Sequence, residues 1–286
     1  MCLQSISEGL TERRKAMSSL VQKTFSLPSV PFTQDIPVDG LLRSESFKAN
    51  IEKLKYAVEH RLFCVLLSPP GCGKSTMLRC LRDTISPSKY LFLYISESKL
   101  TPRWLYNQIL RQLGAREYYY RGDGKKAVHE QLAIVKEVQR KDIVVCVDEA
   151  HLLGIDTLQE LRFFLNNDID SHSPVSLILS GQMELKDNLQ RKCFDAIRQR
   201  IAFPVYLEPM NRDLTVRYIE AHMKAAGGDS GEVFSPEAVD AIQAKSGGVA
   251  RIVNQICGLS LMAAASMGRN TVDAATVTAV IQNEMI

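Results

Sequence analysis

Apolar residues along the 286-residue chain follow two alternating periods. Compact apolar runs at Phe63–Leu67, Tyr90–Ile95, Ile143–Val147, Val175–Leu179 and Phe203–Leu207 read as strands of a sheet core, with Ile143–Val147 the most β-branched. Between them the spacing widens to that of helices. Phe47, Ile51, Leu54 and Val58 follow the capping residue Ser44 at i, i+4, i+7 and i+11 and make one apolar face. Met77, Leu78 and Leu81 mark a helix ending near Pro87, and Trp104, Leu105, Ile109 and Leu113 mark one ending at Gly114. Val128, Leu132, Val135 and Val138 predict a helix over 125–140, and Leu158, Leu161, Phe164 and Leu165 predict another. Strand and helix in turn are the pattern of a parallel sheet with helices on its faces.

The two ends of the chain differ from this block. From Glu208 to Ile286 the pattern is helical throughout, with Leu214, Tyr218 and Ala221 on a first helix. A second helix is capped by Ser235 with Pro236 at its first position, a third follows Gly247-Gly248 with Ile252, Ile256, Leu259 and Ala263 inward, and a fourth runs from about Ala274. In the first 40 residues, the charge cluster Glu12-Arg13-Arg14-Lys15 and the prolines Pro28, Pro31 and Pro37 predict little regular structure. Pro31-Phe32 has two readings: a ring beside a bound nucleotide base, or an apolar residue pinning an arm to the core. The expected organisation is a partly flexible arm over 1–40, an α/β domain over 41–207 and a small helical domain over 208–286.

The chemistry is densest where the first apolar run stops. Ser68-Pro69-Pro70-Gly71-Cys72-Gly73-Lys74-Ser75-Thr76 joins that strand to a helix and reads as a phosphate-binding loop. Gly71 and Gly73 let the backbone wrap an anion, and the helix N-terminus at Lys74 aims its amides at the same point. Lys74 would neutralise the β- and γ-phosphates of ATP, and Ser75 would ligate Mg²⁺. The pattern G-x-x-x-x-G-K-[ST] is broken only at its first position, where Ser68 stands. Ile143–Val147 then runs into Asp148-Glu149, the arrangement of a Walker B element. Asp148 would hold Mg²⁺ and Glu149 would polarise the attacking water. His151 has two readings, a sensor of the phosphate or a packing or capping residue, the second being preferred. At the end of the Val175 strand, Gln182, with Ser180 as second choice, is the candidate sensor of the γ-phosphate. Arg198 and Arg200 end a helix before the last strand and are candidates for a finger supplied to a neighbouring subunit, surface salt bridges being the alternative. Arg251 opens the third helix of the C-terminal domain and is a candidate nucleotide contact from that lid.

Composition narrows the class. The 35 Lys+Arg and 32 Asp+Glu balance to +3, which neither demands nor excludes nucleic acid. Seven cysteines without a C-x-x-C pair read as reduced packing residues and give no zinc site. No apolar stretch reaches the ~18 to 20 residues of a membrane span, so a cytoplasmic protein is expected. The local cations are more telling: Lys99 and Arg103 follow the second strand, and Arg121, Lys125 and Lys126 flank Tyr118-Tyr119-Tyr120. The tyrosine segment reads either as a grip on a nucleic-acid backbone that stacks on sugars or bases or as an ordinary solvated loop, and in a ring of subunits these cations could line a pore for duplex DNA.

Phosphate loop, Asp148-Glu149, sensor, paired arginines and Ser246-Gly247-Gly248-Val249-Ala250-Arg251, in that order, resemble an AAA+ ATPase. The phrases Asp148-Glu149-Ala150-His151-Leu152-Leu153, Leu177-Ile178-Leu179-Ser180-Gly181-Gln182-Met183-Glu184-Leu185 and Arg198-Gln199-Arg200-Ile201 look like the ExeA-type group, which is similar to transposition ATPases of the TniB, TnsC and MuB kind. The resemblance implies an AAA+ P-loop NTPase fold with a helical lid, ATP and Mg²⁺ as cofactors, and ATP-dependent assembly into a ring or filament on duplex DNA. It also implies recruitment of an integrase-core transposase. The sequence departs from the family at Ser68 and at Met183, where Gly and Pro are usual. ExeA proper acts in secretion and carries a membrane helix beyond its ATPase module, so a chain ending at Ile286 is expected to serve transposition. A third class, a binding switch with negligible turnover, is disfavoured by intact Lys74, Asp148 and Glu149.

Overall fold

The structure is a computed structural model and describes residues 17–33, 40–96, 100–165, 173–228 and 233–285. Its contacts divide the chain into two units, Glu45–Glu208 and a second made of Met1–Ser44 with Pro209–Ile286. The first helical stretch, α1 (residues 17–24), belongs to the second unit.

The first unit runs α2 (Glu45–Glu59), β1 (Phe63–Leu67), α3 (Lys74–Thr84), β2 (Tyr90–Ile95), α4 (Pro102–Gln112), α5 (Arg121–Glu137), β3 (Asp142–Val147), α6 (Ile155–Leu161), β4 (Val175–Gly181), α7 (Met183–Leu189), α8 (Asp195–Arg198) and β5 (Ile201–Tyr206). The strands form one parallel sheet in the order β2-β3-β4-β1-β5. Both faces are covered, which is why β1 and β4 are buried at every position rather than at alternate ones. Ile143, Val145 and Val147 pack with Leu105, Ile109, Val128 and Leu132 of α4 and α5, while the alternate residues Val144 and Cys146 are equally buried. Leu54 and Val58 of α2 and Met77, Leu78 and Leu81 of α3 are buried as their spacing requires. At the edge, β5 alternates in burial and carries Pro204, which an edge strand tolerates because one side of its backbone needs no ladder donor. The register pairs Leu67 with Gly181, and Leu179 and Ile95 with Val147, so the carboxyl ends of β1 to β4 reach one rim together.

Several boundaries differ from expectation. Helix α5 begins at Arg121 and ends at Glu137, whereas the apolar spacing predicts 125–140. Its start is set from outside: Asn107 of α4 clamps the backbone of Tyr118, donating to its carbonyl at 3.0 Å and accepting from its amide at 3.0 Å. Residues of the tyrosine segment from Arg121 onward are therefore helical rather than loop. The last strand opens two residues early, at Ile201, directly after Arg200.

The second unit contains α9 (Arg212–Ala225), α10 (Pro236–Ser246), α11 (Ala250–Ser266) and α12 (Ala274–Glu284). Ser235 caps α10 by accepting from Ala238 N at 3.2 Å, with Pro236 inside the first turn. Gly248 sits at φ +79°, and a Cβ there would lie 1.7 Å from the Met210 carbonyl oxygen, so only glycine permits the approach that starts α11. The expectation of little regular structure before residue 40 fails for 17–24, which is helical, and holds for 25–33, which form turns and bends. Val21, Leu27 and Phe32 are buried in the core of this unit, where the Phe32 ring stacks on His222 at 5.2 Å and meets Phe234 edge-on at 6.1 Å. Enough apolar surface is available there to order the segment despite its prolines. Of the two readings of Phe32, packing is the one observed. The cluster Glu12 to Lys15 and Pro37 lie outside the described residues.

Candidate functional site

Residues Ser68 to Gly73 leave β1 and turn into α3. Gly71 and Gly73 hold φ of 81° and 99°, the left-handed region in which a side chain would strain the loop. Ser68, at the position that departs from the pattern, is absent from the positive-φ residues. Serine is accepted because the backbone asks nothing of glycine there. Its amide donates to Gly181 O at 3.2 Å, tying the loop to the end of β4, and its hydroxyl donates to Pro69 O at 2.8 Å. Lys74 is buried in the first turn of α3, while Ser75 is exposed and Thr76 partly so. Pro69, Pro70 and Cys72 complete the loop without ion pairs among the described residues. The Cys72 thiol is pushed up by burial, opposed by the charge of Lys74.

Asp148 emerges from β3 with its amide bonded to Ile95 O at 2.7 Å and is almost fully buried. Four donors converge on its carboxylate from separate elements. Ser180 Oγ donates to Oδ1 at 2.7 Å, as does the Glu149 amide at 2.9 Å; the Tyr94 hydroxyl donates to Oδ2 at 2.6 Å and Ser75 Oγ at 3.4 Å. Such donors fix the carboxylate's orientation. The Tyr94 hydroxyl is pushed well above its ordinary value, by burial first and by the bond to Asp148 second. Sequence reading passed over Tyr94, which lies inside an apolar run; only the pairing of Tyr94 with Cys146 brings it beside Asp148. Ser180, second choice as a sensor, serves here as a clamp on Asp148.

Glu149 adopts φ 50°, ψ 34°, a left-handed conformation unusual for a non-glycine residue, and its side chain is 38% exposed. Its Oε2 lies 3.4 Å from His151 Nδ1, and the same nitrogen accepts from the Gln182 amide at 3.5 Å. His151 thus lies against both Glu149 and Gln182, whereas the sequence favours a packing or capping role for it. Gln182 stands at the N-cap of α7.

The remaining candidates are more dispersed. Arg198, exposed on α8, donates to Gln190 O at 3.1 Å and pairs with Asp195 at 2.8 Å; Arg200 donates to Ala196 O at 2.9 Å. Both arginines precede β5, the edge strand beside β1. Arg251 is exposed in the first turn of α11, in the other unit. Lys99 lies outside the described residues. Arg121 and Lys125 turn out to have an internal role: Glu160, 1% exposed, is held by the Arg121 guanidinium, the Tyr106 hydroxyl and Lys125 Nζ, the last at 3.3 Å. Burial would raise the Glu160 carboxyl, but these three groups together hold it below the usual range. Arg103 and Lys126 stay at the surface, Lys126 only 3.9 Å from Glu130. Six described cysteines are free; Cys64, Cys80, Cys146 and Cys257 are buried packing thiols, with Cys64 pushed up by burial to about 12, whereas Cys72 is partly exposed and Cys193 is exposed, against the expectation of packing. No helix among the described residues is long and apolar enough to cross a membrane.

A five-stranded parallel sheet flanked by helices, with a phosphate loop after β1 and a paired Asp-Glu after β3, is the fold of an AAA P-loop NTPase. The family model described as AAA domain matches residues 57–189. General secretion pathway protein A of Aeromonas hydrophila is 28% identical over 252 residues, 87% of this chain and 45% of that protein, so the chain spans under half of its length. Among solved structures, the Aeropyrum pernix ORC2 protein in its ADPNP-ADP complexes superposes with a TM-score of 0.64 at 16% identity, covering 88% of this chain and 71% of that one. Cdc6p from Pyrobaculum aerophilum gives 0.61 at 20% identity over 88% of this chain and 68% of its own. The Thermotoga maritima RuvB Holliday junction branch migration motor gives 0.52 at 14% identity over 82% and 68%. At these identities the structural likenesses concern the fold.

Proposed function

We propose that the chain is a Mg²⁺-dependent ATPase whose nucleotide state controls its self-association into a ring or filament. The observation that carries this reading is the meeting of two loops on one rim, Ser75 Oγ lying 3.4 Å from Asp148 Oδ2. A hydroxyl and a carboxylate side by side suit a hard cation that takes its other ligands from phosphate and water. Among the described residues no cluster of three or more His, Cys, Asp or Glu side chains could cage a metal alone. Bound by Ser75 and Asp148, Mg²⁺ would supply charge neutralisation at the β- and γ-phosphates. Lys74 adds a fixed ammonium, and the loop amides from Gly71 to Thr76 cradle the phosphate chain. Glu149 accepts a proton from water as the water oxygen bonds to the γ-phosphorus and the bond to the β–γ bridging oxygen breaks. Gln182 orients that water. Arg198 or Arg200 stabilises the developing charge in a neighbour's site, and Arg251 reports nucleotide state to the helical unit.

For the task of the assembly, the leading reading is an accessory ATPase of DNA transposition. ATP-bound subunits gather on duplex DNA in the cytoplasm and recruit an integrase-core transposase. The motif resemblance and the cations around Arg103 and Lys126 support it. A second reading, an ATPase of a secretion pathway, is supported by the similarity to general secretion pathway protein A. Sedimentation and duplex binding with ATP or ADP, at rising salt, separate them. Transposition predicts ATP-dependent assembly on duplex DNA, indifferent to sequence and steeply weakened by salt. ATP hydrolysis and assembly without any DNA dependence would move the assignment to secretion.

A further inference from the structure

The first turn of α4 and the approach to α5 together expose an unusual surface. Trp104, Tyr119 and Tyr120 are 41%, 76% and 69% exposed, although tyrosine and tryptophan rings seldom stand free in water without a partner. They form one continuous row. The Arg103 guanidinium lies 5.1 Å from the Trp104 ring and 5.3 Å from the Tyr119 ring, and Tyr119 meets Tyr120 edge-on at 5.3 Å. Arg116 lies over the adjacent Tyr118 ring at 4.7 Å. The charge of the segment fits the same partner. Residues 101–126 hold six Lys/Arg against two Asp/Glu, a net +4, whereas the entire chain nets +3. Arg121 and Lys125 are engaged by Glu160, so the outward cations of the row are Arg103, Arg116 and Lys126.

We infer that this row is a binding platform for unpaired bases of single-stranded nucleic acid. In a duplex the flat faces of the bases are covered by their neighbours, and a protein reaches only phosphates and groove edges; aromatic side chains then have nothing to stack on. Unpaired bases offer their faces, and alternating rings and guanidinium groups accept them without regard to sequence. Three rings joined by one arginine, with Arg116 over the adjacent Tyr118 ring for phosphates, match that chemistry better than a duplex track, which needs cations and no rings. The inference rests on the nucleic-acid part of the function proposed above and assigns this surface to single strands rather than to duplex.

The full chain is titrated by fluorescence anisotropy with labelled dT30, rU30 and a 30-base-pair duplex, at ~50 and ~200 mM salt. The parent is expected to bind dT30 at least about tenfold more tightly than duplex, and comparison with rU30 shows whether the sugar matters. Replacing both Tyr119 and Tyr120 by Ala should weaken dT30 binding by roughly tenfold or more, while Tyr119→Phe with Tyr120→Phe restores most of it, because the rings alone are required. Both residues are exposed, so folding is unaffected; melting temperature and bound nucleotide analogue confirm this in each variant. Equal or tighter duplex binding, or an alanine variant that binds dT30 like the parent, overturns the inference. So does loss of self-association in the alanine variant with dT30 binding kept, since the row is then a contact between subunits. If dT30 fails to bind while ATP-dependent duplex binding persists, only this inference falls and the transposition reading stands.

Discussion

Asp148 shows how much of the site depends on residues far apart in sequence. Its carboxylate is oriented by Ser75, Tyr94 and Ser180, which come from α3, β2 and β4. Lys74, Ser75, Asp148 and Glu149 are recognisable from local spacing, because a phosphate loop and a strand ending in two acids are contiguous motifs. Tyr94 and the link from His151 to Gln182 are not, because they exist only once strands are paired in the order β2-β3-β4-β1. The serine at position 68 makes a further point. Its backbone requires no positive φ and its hydroxyl and amide are both bonded. Ser68→Gly should therefore leave affinity for a fluorescent ATP analogue within about twofold of the parent. It should also lower stability by about 1 kcal/mol, through the lost bond and the freer unfolded chain. Lys74→Ala, by contrast, should abolish analogue binding, since the buried ammonium is the charge the loop itself supplies; a normal affinity would refute the phosphate-loop assignment.

In the helical unit, burial rather than charge pairing sets the pH response. His222 of α9 is packed against Phe32 and Tyr218, and among the described residues neither of its ring nitrogens has a hydrogen-bond partner. Desolvation lowers its pKa from 6.5 to about 4. A depressed histidine pKa means that the folded state prefers the neutral ring. The associated stability is fully present above about pH 6.5 and is lost as pH falls, because the unfolded chain takes up a proton that the folded chain refuses until about pH 4. The whole window corresponds to about 3 kcal/mol, and the step from pH 7 to pH 5 to about 2 kcal/mol. Urea unfolding of the parent should show that loss, and His222→Phe should remove most of it. An identical pH dependence in both proteins would mean that the ring reaches water. The stacking on Phe32 that buries His222 joins residues almost 200 positions apart, which explains why the proline-rich N-terminal segment read as unstructured. Helix α5 carries the same lesson: its start is set by Asn107 of α4 and its first cations by Glu160 of α6, neither of which apolar periodicity records.

At the scale of the proposed assembly, Arg198 or Arg200 would complete the site of a neighbouring subunit. Parallel sheet, flanking helices and C-terminal helical unit follow from patterning alone; the strand order, which sets Arg198 and Arg200 before the edge strand beside β1, does not. If Arg200 serves a neighbour, mixing Arg200→Ala with Glu149→Gln subunits should recover hydrolysis that neither has alone, because some interfaces then pair an intact glutamate with an intact arginine. No recovery despite co-assembly would assign Arg200 to its own subunit. The central claim, that Glu149 draws the proton from water at a Mg²⁺-ATP site built by Lys74, Ser75 and Asp148, is tested most directly by single-turnover hydrolysis of radiolabelled ATP. Parent and Glu149→Gln are compared at saturating Mg²⁺, with nucleotide binding measured on the same samples. The account predicts unchanged binding and a rate at least ~100-fold lower in the variant; a rate within a few-fold of the parent, with binding intact, would contradict it.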